Sequence, residues 1–190
     1  GYLSQPLRFE ENRGQTHEQV EFLSRGPGYT LFLTPTESVL ALQKPANKLA
    51  KSNQAKPGDF ATASTAVVRM RLAGANEKPV VTGLDPLQAK TNYLLGLDRS
   101  KWHTNVPNYA RVRYAQVYPG IDVVYYGSNQ QQLEYDFVVA PGADPDAVRI
   151  AFSGAEQLEI ADNGDLVLRL GEGEIRQHKP FTYQEIDGKR

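Results

Sequence analysis

Along most of this chain apolar side chains recur at every second position, and that period of two is the hardest constraint on its fold. In "QLEYDFVV", Leu133, Tyr135, Phe137 and Val139 alternate with Glu134, Asp136 and Val138. Ala66–Leu72 sets Val68, Met70 and Leu72 against Val67, Arg69 and Arg71, and Ala110–Tyr114 sets Val112 and Tyr114 against Arg111 and Arg113. A strand turns successive side chains to opposite faces, whereas a helix would need apolar residues three and four apart. Further strand-like runs are Val20–Ser24, Tyr29–Leu33, Glu37–Leu42, Arg149–Phe152, Gln157–Ile160, Leu166–Leu170, Glu174–Gln177 and Phe181–Ile186, and Ile121–Val139 reads as a hairpin around a short polar loop. "NYLLG" reads as a short strand, and "DRSKWH" and "GADPDAV" read as single helical turns. Many short strands with frequent turns predict an all-β protein, an antiparallel β-sandwich with at most short helical turns.

The punctuation supports this. "RGPGY" and "YPGI" place Pro-Gly pairs where a type II turn needs a preset φ followed by a positive one. Asn163-Gly164, between two apolar runs, predicts a type I′ hairpin turn. Residues 44–64, "KPANKLAKSNQAKPGDFATAS", lack both periodicity and apolar anchors, so they are expected to form a mobile loop inside one domain spanning 1–190. The residues before that loop are too few to hold a core alone. Asp187-Gly188 reads as one more turn, so the C-terminal edge is expected to continue into a downstream segment.

Composition narrows function by exclusion. The 190 residues carry a formal net charge of −1, which gives no electrostatic pull toward nucleic acid or an anionic membrane. No apolar run approaches the roughly 20 residues of a membrane-spanning helix. The chain contains no cysteine, which excludes disulfides and thiol catalysis. His17, His103 and His178 have no partner at metal-ligand spacing, so no metal or cofactor is expected. No nucleophile elbow and no phosphate-binding loop occurs.

The residues with most chemical potential lie in "IDVVYYGSNQQQLEYDFVV". Glu134 and Asp136, two apart on one strand, would sit roughly 6–7 Å from each other, between the separations used by retaining and inverting glycosidases. A working acid pair needs unlike environments, and these two share one. Arg69, Arg71, Arg111 and Arg113 offer opposite charges, so a solvated, charge-paired face is the favoured reading for Asp122, Glu134 and Asp136. Trp102, Tyr109, Tyr125 and Tyr126 are candidates for an aromatic platform under a sugar ring, against the commoner role of sheet packing.

Five stretches carry a resemblance: "FEENRGQ", "FLSRGPGYTLFLTPTE", "TNYLLG…WHTNVPNYARVRYAQVYPGIDVVYYG", "QLEYDFVVAPGADPDAVRIAFSGA" and "GDLVL…IRQHKPFTYQEIDG". Together they resemble the uncharacterised N-terminal domain that precedes SBBP (seven-bladed β-propeller) repeats in large bacterial secreted and cell-surface proteins. The resemblance implies an exported, extracellular setting with propeller repeats downstream, and it supplies no catalytic residues. The expected role is a non-catalytic structural or adhesive module whose partners are downstream domains of the same chain, with a glycan or another surface protein as further candidates. The alternatives are a carbohydrate-binding module using the exposed aromatics, and a glycan-active enzyme using Glu134 and Asp136.

Overall fold

A computed structural model describes residues 7–43, 65–94, 96–128, 132–171 and 173–184; the segment expected to be a mobile loop, 44–64, lies outside the described residues. The chain divides into two compact units, Gly1–Phe152 and Ser153–Arg190. The strands in order are β1 (Phe9–Glu11), β2 (Phe22–Gly26), β3 (Tyr29–Leu33), β4 (Glu37–Gln43), β5 (Thr65–Leu72), β6 (Val80–Pro86), β7 (Thr91–Tyr93), β8 (His103–Val106), β9 (Asn108–Tyr118), β10 (Ile121–Gly127), β11 (Leu133–Val139), β12 (Ile150–Ser153), β13 (Gln157–Ile160), β14 (Leu166–Leu170) and β15 (Gly173–Gln177). The helical content described is two single 3₁₀ turns, Arg99–Lys101 and Pro145–Ala147, where the sequence places them. The fold is all-β and antiparallel, as the period of two requires.

In the first unit one ten-stranded sheet runs β11-β10-β9-β1-β2-β3-β4-β5-β12, with β6 attached to β9. β9 is the hub. One of its edges pairs with β10 from Tyr118 to Arg111 and then with β1 at Tyr109 and Asn108; the other pairs with β6 from Ala115 to Tyr109. Alternation sends Phe9, Phe22, Leu31, Leu33, Met70, Val112, Tyr114, Val123 and Tyr125 to one face, where they form a single buried cluster. The sheet curls to bring that face together, giving a sandwich-like arrangement. The Tyr114 hydroxyl donates to the Thr34 carbonyl at 2.9 Å, and Tyr125 bonds Ser38, so β9 and β10 meet the β3–β4 end across the core.

The turns follow from their residues. Gly28 (φ +77°) and Gly120 (φ +73°) adopt the left-handed φ that each Pro-Gly turn demands. The Asn163-Gly164 hairpin forms with Ile160 opposite Leu166, but the type I′ expectation fails. Only Gly164 has positive φ (+88°), and Ala161 N–H bonds the Asp165 carbonyl at 2.9 Å, so the loop spans three residues. The longer loop frees Asn163 to donate to the Asp165 carboxylate at 2.9 Å rather than strain its backbone.

Three strands were not legible in the sequence. β1 and β8 are too short to show a period. β6, "VVTGLDP", contains Gly83 and Pro86, yet Gly83 provides the gap that the Tyr109 ring fills: a Cβ there would lie 2.5 Å from the ring. Conversely, Phe181–Gln184 is not a strand, although its composition suggests one; Phe181 and Tyr183 stack at 6.1 Å and Phe181 is exposed. Residues 185–190, including the expected Asp187-Gly188 turn, lie outside the described residues.

Ser24 lies on the core face with its hydroxyl fully buried and without a hydrogen-bond partner among the described residues. A buried polar group left unbonded costs about 1–3 kcal/mol, so removing it should not hurt. Ser24→Ala is expected to leave the melting temperature unchanged or raise it. A drop would show that the hydroxyl is bonded, through water or otherwise.

Candidate functional site

Three polar clusters stand out, and each is built by the register of its strands. On the hairpin β10–β11 the outer face presents Asp122, Val124 and Tyr126 opposite Val138, Asp136 and Glu134. The Tyr126 hydroxyl donates to Asp136 at 3.0 Å and also bonds Glu134, so it lies between the two carboxylates. Burial, then the hydrogen bond to Asp136 and the nearby negative charges, holds the Tyr126 phenol protonated well above its usual range. The arrangement keeps a neutral phenol bridging two acids.

Asp122 on the same strand has a different task. Between Ile121 and Val123 the ladder to β9 slips, with Tyr118 and Tyr114 as the flanking partners, and Gln116 in that bulge takes a φ of +54°. The Asp122 carboxylate accepts the Gln116 N–H at 2.7 Å and the Arg113 guanidinium at 2.6 Å. It therefore fixes the bulge.

The arginines expected opposite this acidic face mostly find other carboxylates. Arg69 pairs with Glu37 (2.9 Å), Arg71 with Glu77 (3.7 Å), Arg111 with Asp85 (2.5 Å) and Arg113 with Asp122. The reason is register: Arg69 lies opposite Val39 and Arg71 opposite Glu37 on β4, far along the sheet order from β11.

The four candidate aromatics do not converge. Tyr125 is buried in the core, edge-on to Tyr114 at 5.6 Å and tilted against Tyr135 at 5.7 Å, so it cannot contribute to a surface platform. Tyr126 is its neighbour on β10 and therefore faces the opposite side of the sheet. Tyr109 is half-buried, edge-on to Phe22 at 5.8 Å and over Gly83. Trp102 stands in the loop between β7 and β8, where its Nε1 donates to the Gly96 carbonyl at 3.2 Å and Arg99 lies over its ring at 5.4 Å.

The second cluster was missed in the sequence. Glu10 on β1 is only 3% exposed although it lies on the face opposite Phe9, because β7 covers that side: the Tyr93 hydroxyl donates to Glu10, and Arg25 reaches both Glu10 oxygens at 3.2 Å. Leu23, the register partner of Glu10, is buried there too. Glu10 is one of two adjacent acids in "FEENRGQ", and adjacent acids give no period that would announce the burial of one of them. The rest of that stretch is a self-bonded loop. Asn12 donates to the carbonyls of His17 (2.9 Å) and Val20 (2.8 Å), Gln15 donates to that of Glu11 (2.7 Å), and Gly14 (φ +101°) abuts the His103 ring.

The third cluster belongs to the second unit, a three-stranded sheet β13-β14-β15. Asp165 is buried and accepts Lys179 N–H (3.0 Å) and Asn163 (2.9 Å), with His178 at 3.3 Å. These bonds, led by the backbone N–H of Lys179, lower its pKa from the ordinary carboxylate value. In the first unit a small cleft, open to solvent, is lined by apolar Met70, Tyr114 and Val123 and by Glu37, Arg71 and Glu77. Among the described residues no group of three or more His, Asp or Glu stands close enough to hold a metal ion. No described helix is long and apolar enough to cross a membrane, a statement that does not bear on strands.

The family model of a domain of unknown function, DUF7948, matches residues 9–190. The chain belongs to that family. No curated protein and no solved structure matches it. Within this DUF7948 domain, the match takes in all three polar clusters.

Two measurements separate the roles of the acids. Asp122→Ala should destabilise the domain by about 1–3 kcal/mol, the scale for leaving partly buried donors unpaired, while Glu134→Gln with Asp136→Asn should cost no more than about 1 kcal/mol. Chemical denaturation checks both, and equal losses would contradict the assignment. The tyrosines set a pH dependence as well. Tyr114, Tyr125 and Tyr126 are all held protonated above the ordinary phenol value of about 10, chiefly by burial. Above that pH the unfolded chain has released protons that the folded chain retains, so stability is fully present below pH 10 and falls above it. Tyr126→Phe should make that alkaline fall less steep; an unchanged slope would rule out the contribution of Tyr126.

Proposed function

We propose that this domain is a non-catalytic structural module of an exported bacterial surface protein, one that presents or caps the propeller repeats that its resemblance implies downstream. The observation that supports this best is that its chemically capable side chains bond one another. Glu10 is taken up by Arg25 and Tyr93, Asp122 by Arg113 and the bulge, and Asp136 by Tyr126. Residues that hold a nucleophile, a base or a bound sugar keep bonding capacity free for the ligand; here that capacity serves the sheet.

The family match adds the domain but no activity, and the extracellular setting rests on the resemblance alone. The carbohydrate-binding alternative retains Tyr126, without Tyr125 and with Arg99 lying over the Trp102 ring. The glycan-active alternative retains Glu134 and Asp136, whose shared bond to one phenol gives them similar rather than opposed environments.

The test compares unfolding of this domain alone with unfolding when it is joined to the repeats that follow it, alongside a glycan array with calorimetry on the hits. A capping module should melt at a higher temperature, or in one shared transition, when joined, and the array should stay silent. Independent transitions identical to those of the separate pieces would remove the capping role. Saturable binding of an oligosaccharide would select the second reading, and turnover abolished by Glu134→Gln would select the third.

A further inference from the structure

The β7–β8 hairpin combines a fixed base with an apolar tip. At its base Tyr93 is tied to the buried Glu10, Thr91 bonds Asn108, and Asn105 N–H donates to Asn92 at 2.8 Å. Asn108 is itself fully buried and donates to the Ala89 carbonyl at 3.0 Å. At the tip Asp98 caps the 3₁₀ turn through the Ser100 N–H at 3.0 Å, Gly96 takes a φ of +67°, and Trp102 bonds the Gly96 carbonyl. This bonded framework holds Leu97 with its side chain wholly in solvent and Leu94 more than half exposed, beside exposed Arg99 and Lys101.

A loop that is ordered by its own hydrogen bonds has no need of exposed leucines for its fold, and displaying them in water is unfavourable relative to burial. The neighbouring groups indicate what covers them. Asp98 caps the turn and pairs with Lys101 at 3.9 Å, and Arg99 has no carboxylate beside it among the described residues, so the tip carries a net positive charge. Trp102 carries a polar N–H on an apolar ring, the amphipathic side chain that sits at the level of lipid headgroups. A sugar is a poor fit, because the Arg99 guanidinium already lies over the indole ring and the two leucines offer no hydrogen bonds. Aliphatic side chains at the point, with cations and an indole around them, match an anionic bilayer surface, where basic side chains are attracted to the headgroups and the leucines enter the acyl boundary.

We propose that the hairpin tip formed by Leu94 and residues 96–102 is a membrane-surface contact that inserts Leu94 and Leu97 shallowly into an anionic lipid leaflet. It does not depend on the structural-module reading, since a capping domain and an enzyme could equally carry such a contact. Its overall net charge of −1 makes the attraction local to the tip rather than a property of the whole surface.

Trp102 is the chain's one tryptophan, so its fluorescence reports on this loop alone. With phosphatidylglycerol vesicles its emission should shift to the blue and the protein should co-sediment, more weakly with phosphatidylcholine and less as salt is raised. Leu94→Gln with Leu97→Gln should lower the vesicle partition coefficient by roughly tenfold or more, the scale for withdrawing two leucines from an apolar phase. Because both positions are exposed, the melting temperature should not change, and Lys101→Gln should give an intermediate loss. No blue shift and no co-sedimentation with either lipid would overturn the proposal. So would a double variant that partitions like the parent, or a tip that is protected only by a soluble protein.

Discussion

The structure of the first unit depends on the backbone ladder of β9. At eleven residues it is the longest strand, and both of its edges are filled: β10 and then β1 on one side, β6 on the other. Every other strand of the large sheet is joined to it directly or through β1 and β10. The ladder to β10 resumes on both sides of a bulge in which one residue, Gln116, leaves the regular conformation. The bulge bends the strand, and Asp122 holds that bend with two charge-assisted bonds. A bent central strand lets the sheet curl, and the curl is what brings Tyr114 to Thr34 and Tyr125 to Ser38 across one core.

Burial on both faces of β1 and β2 follows from the same geometry. Phe9 and Phe22 point into the core, while Glu10 and Leu23 point the other way and are covered from β7. Covering a carboxylate removes its water, so Arg25 and Tyr93 must supply its bonds. That triad around the buried Glu10 also ties down the base of the β7–β8 hairpin, the element that carries the exposed Leu94 and Leu97.

Charge is handled differently on the exposed faces. Arg69, Arg111 and Arg113 each have a carboxylate within 2.9 Å, and Arg169 in the second unit lies 2.6 Å from Glu159. Exposed pairs of this kind contribute little stability each, about 0–1 kcal/mol. Their larger effect is on register, because a slip of one residue would carry every arginine to the apolar face. The acids of the β10–β11 hairpin are part of this scheme, with Tyr126 filling the place that an arginine fills elsewhere.

The period of two, the Pro-Gly turns and the single 3₁₀ turns were all fixed by local chemistry, and the sequence by itself determined the class of fold, most strand limits and the sides on which Val112, Tyr114, Glu134 and Asp136 lie. It also indicated that Glu134 and Asp136 share one environment, since residues two apart on a strand must. It did not reveal β6, because a glycine weakens a strand unless a ring such as that of Tyr109 fills the space, and that ring comes from another strand. Nor did it reveal that Tyr125 is core and Tyr126 surface, that Glu10 is buried, or which carboxylate each arginine chooses. Those outcomes were decided by tertiary structure alone: they turn on how far the sheet curls and which strands become neighbours, and pairing between residues distant in sequence leaves no periodic mark on either one.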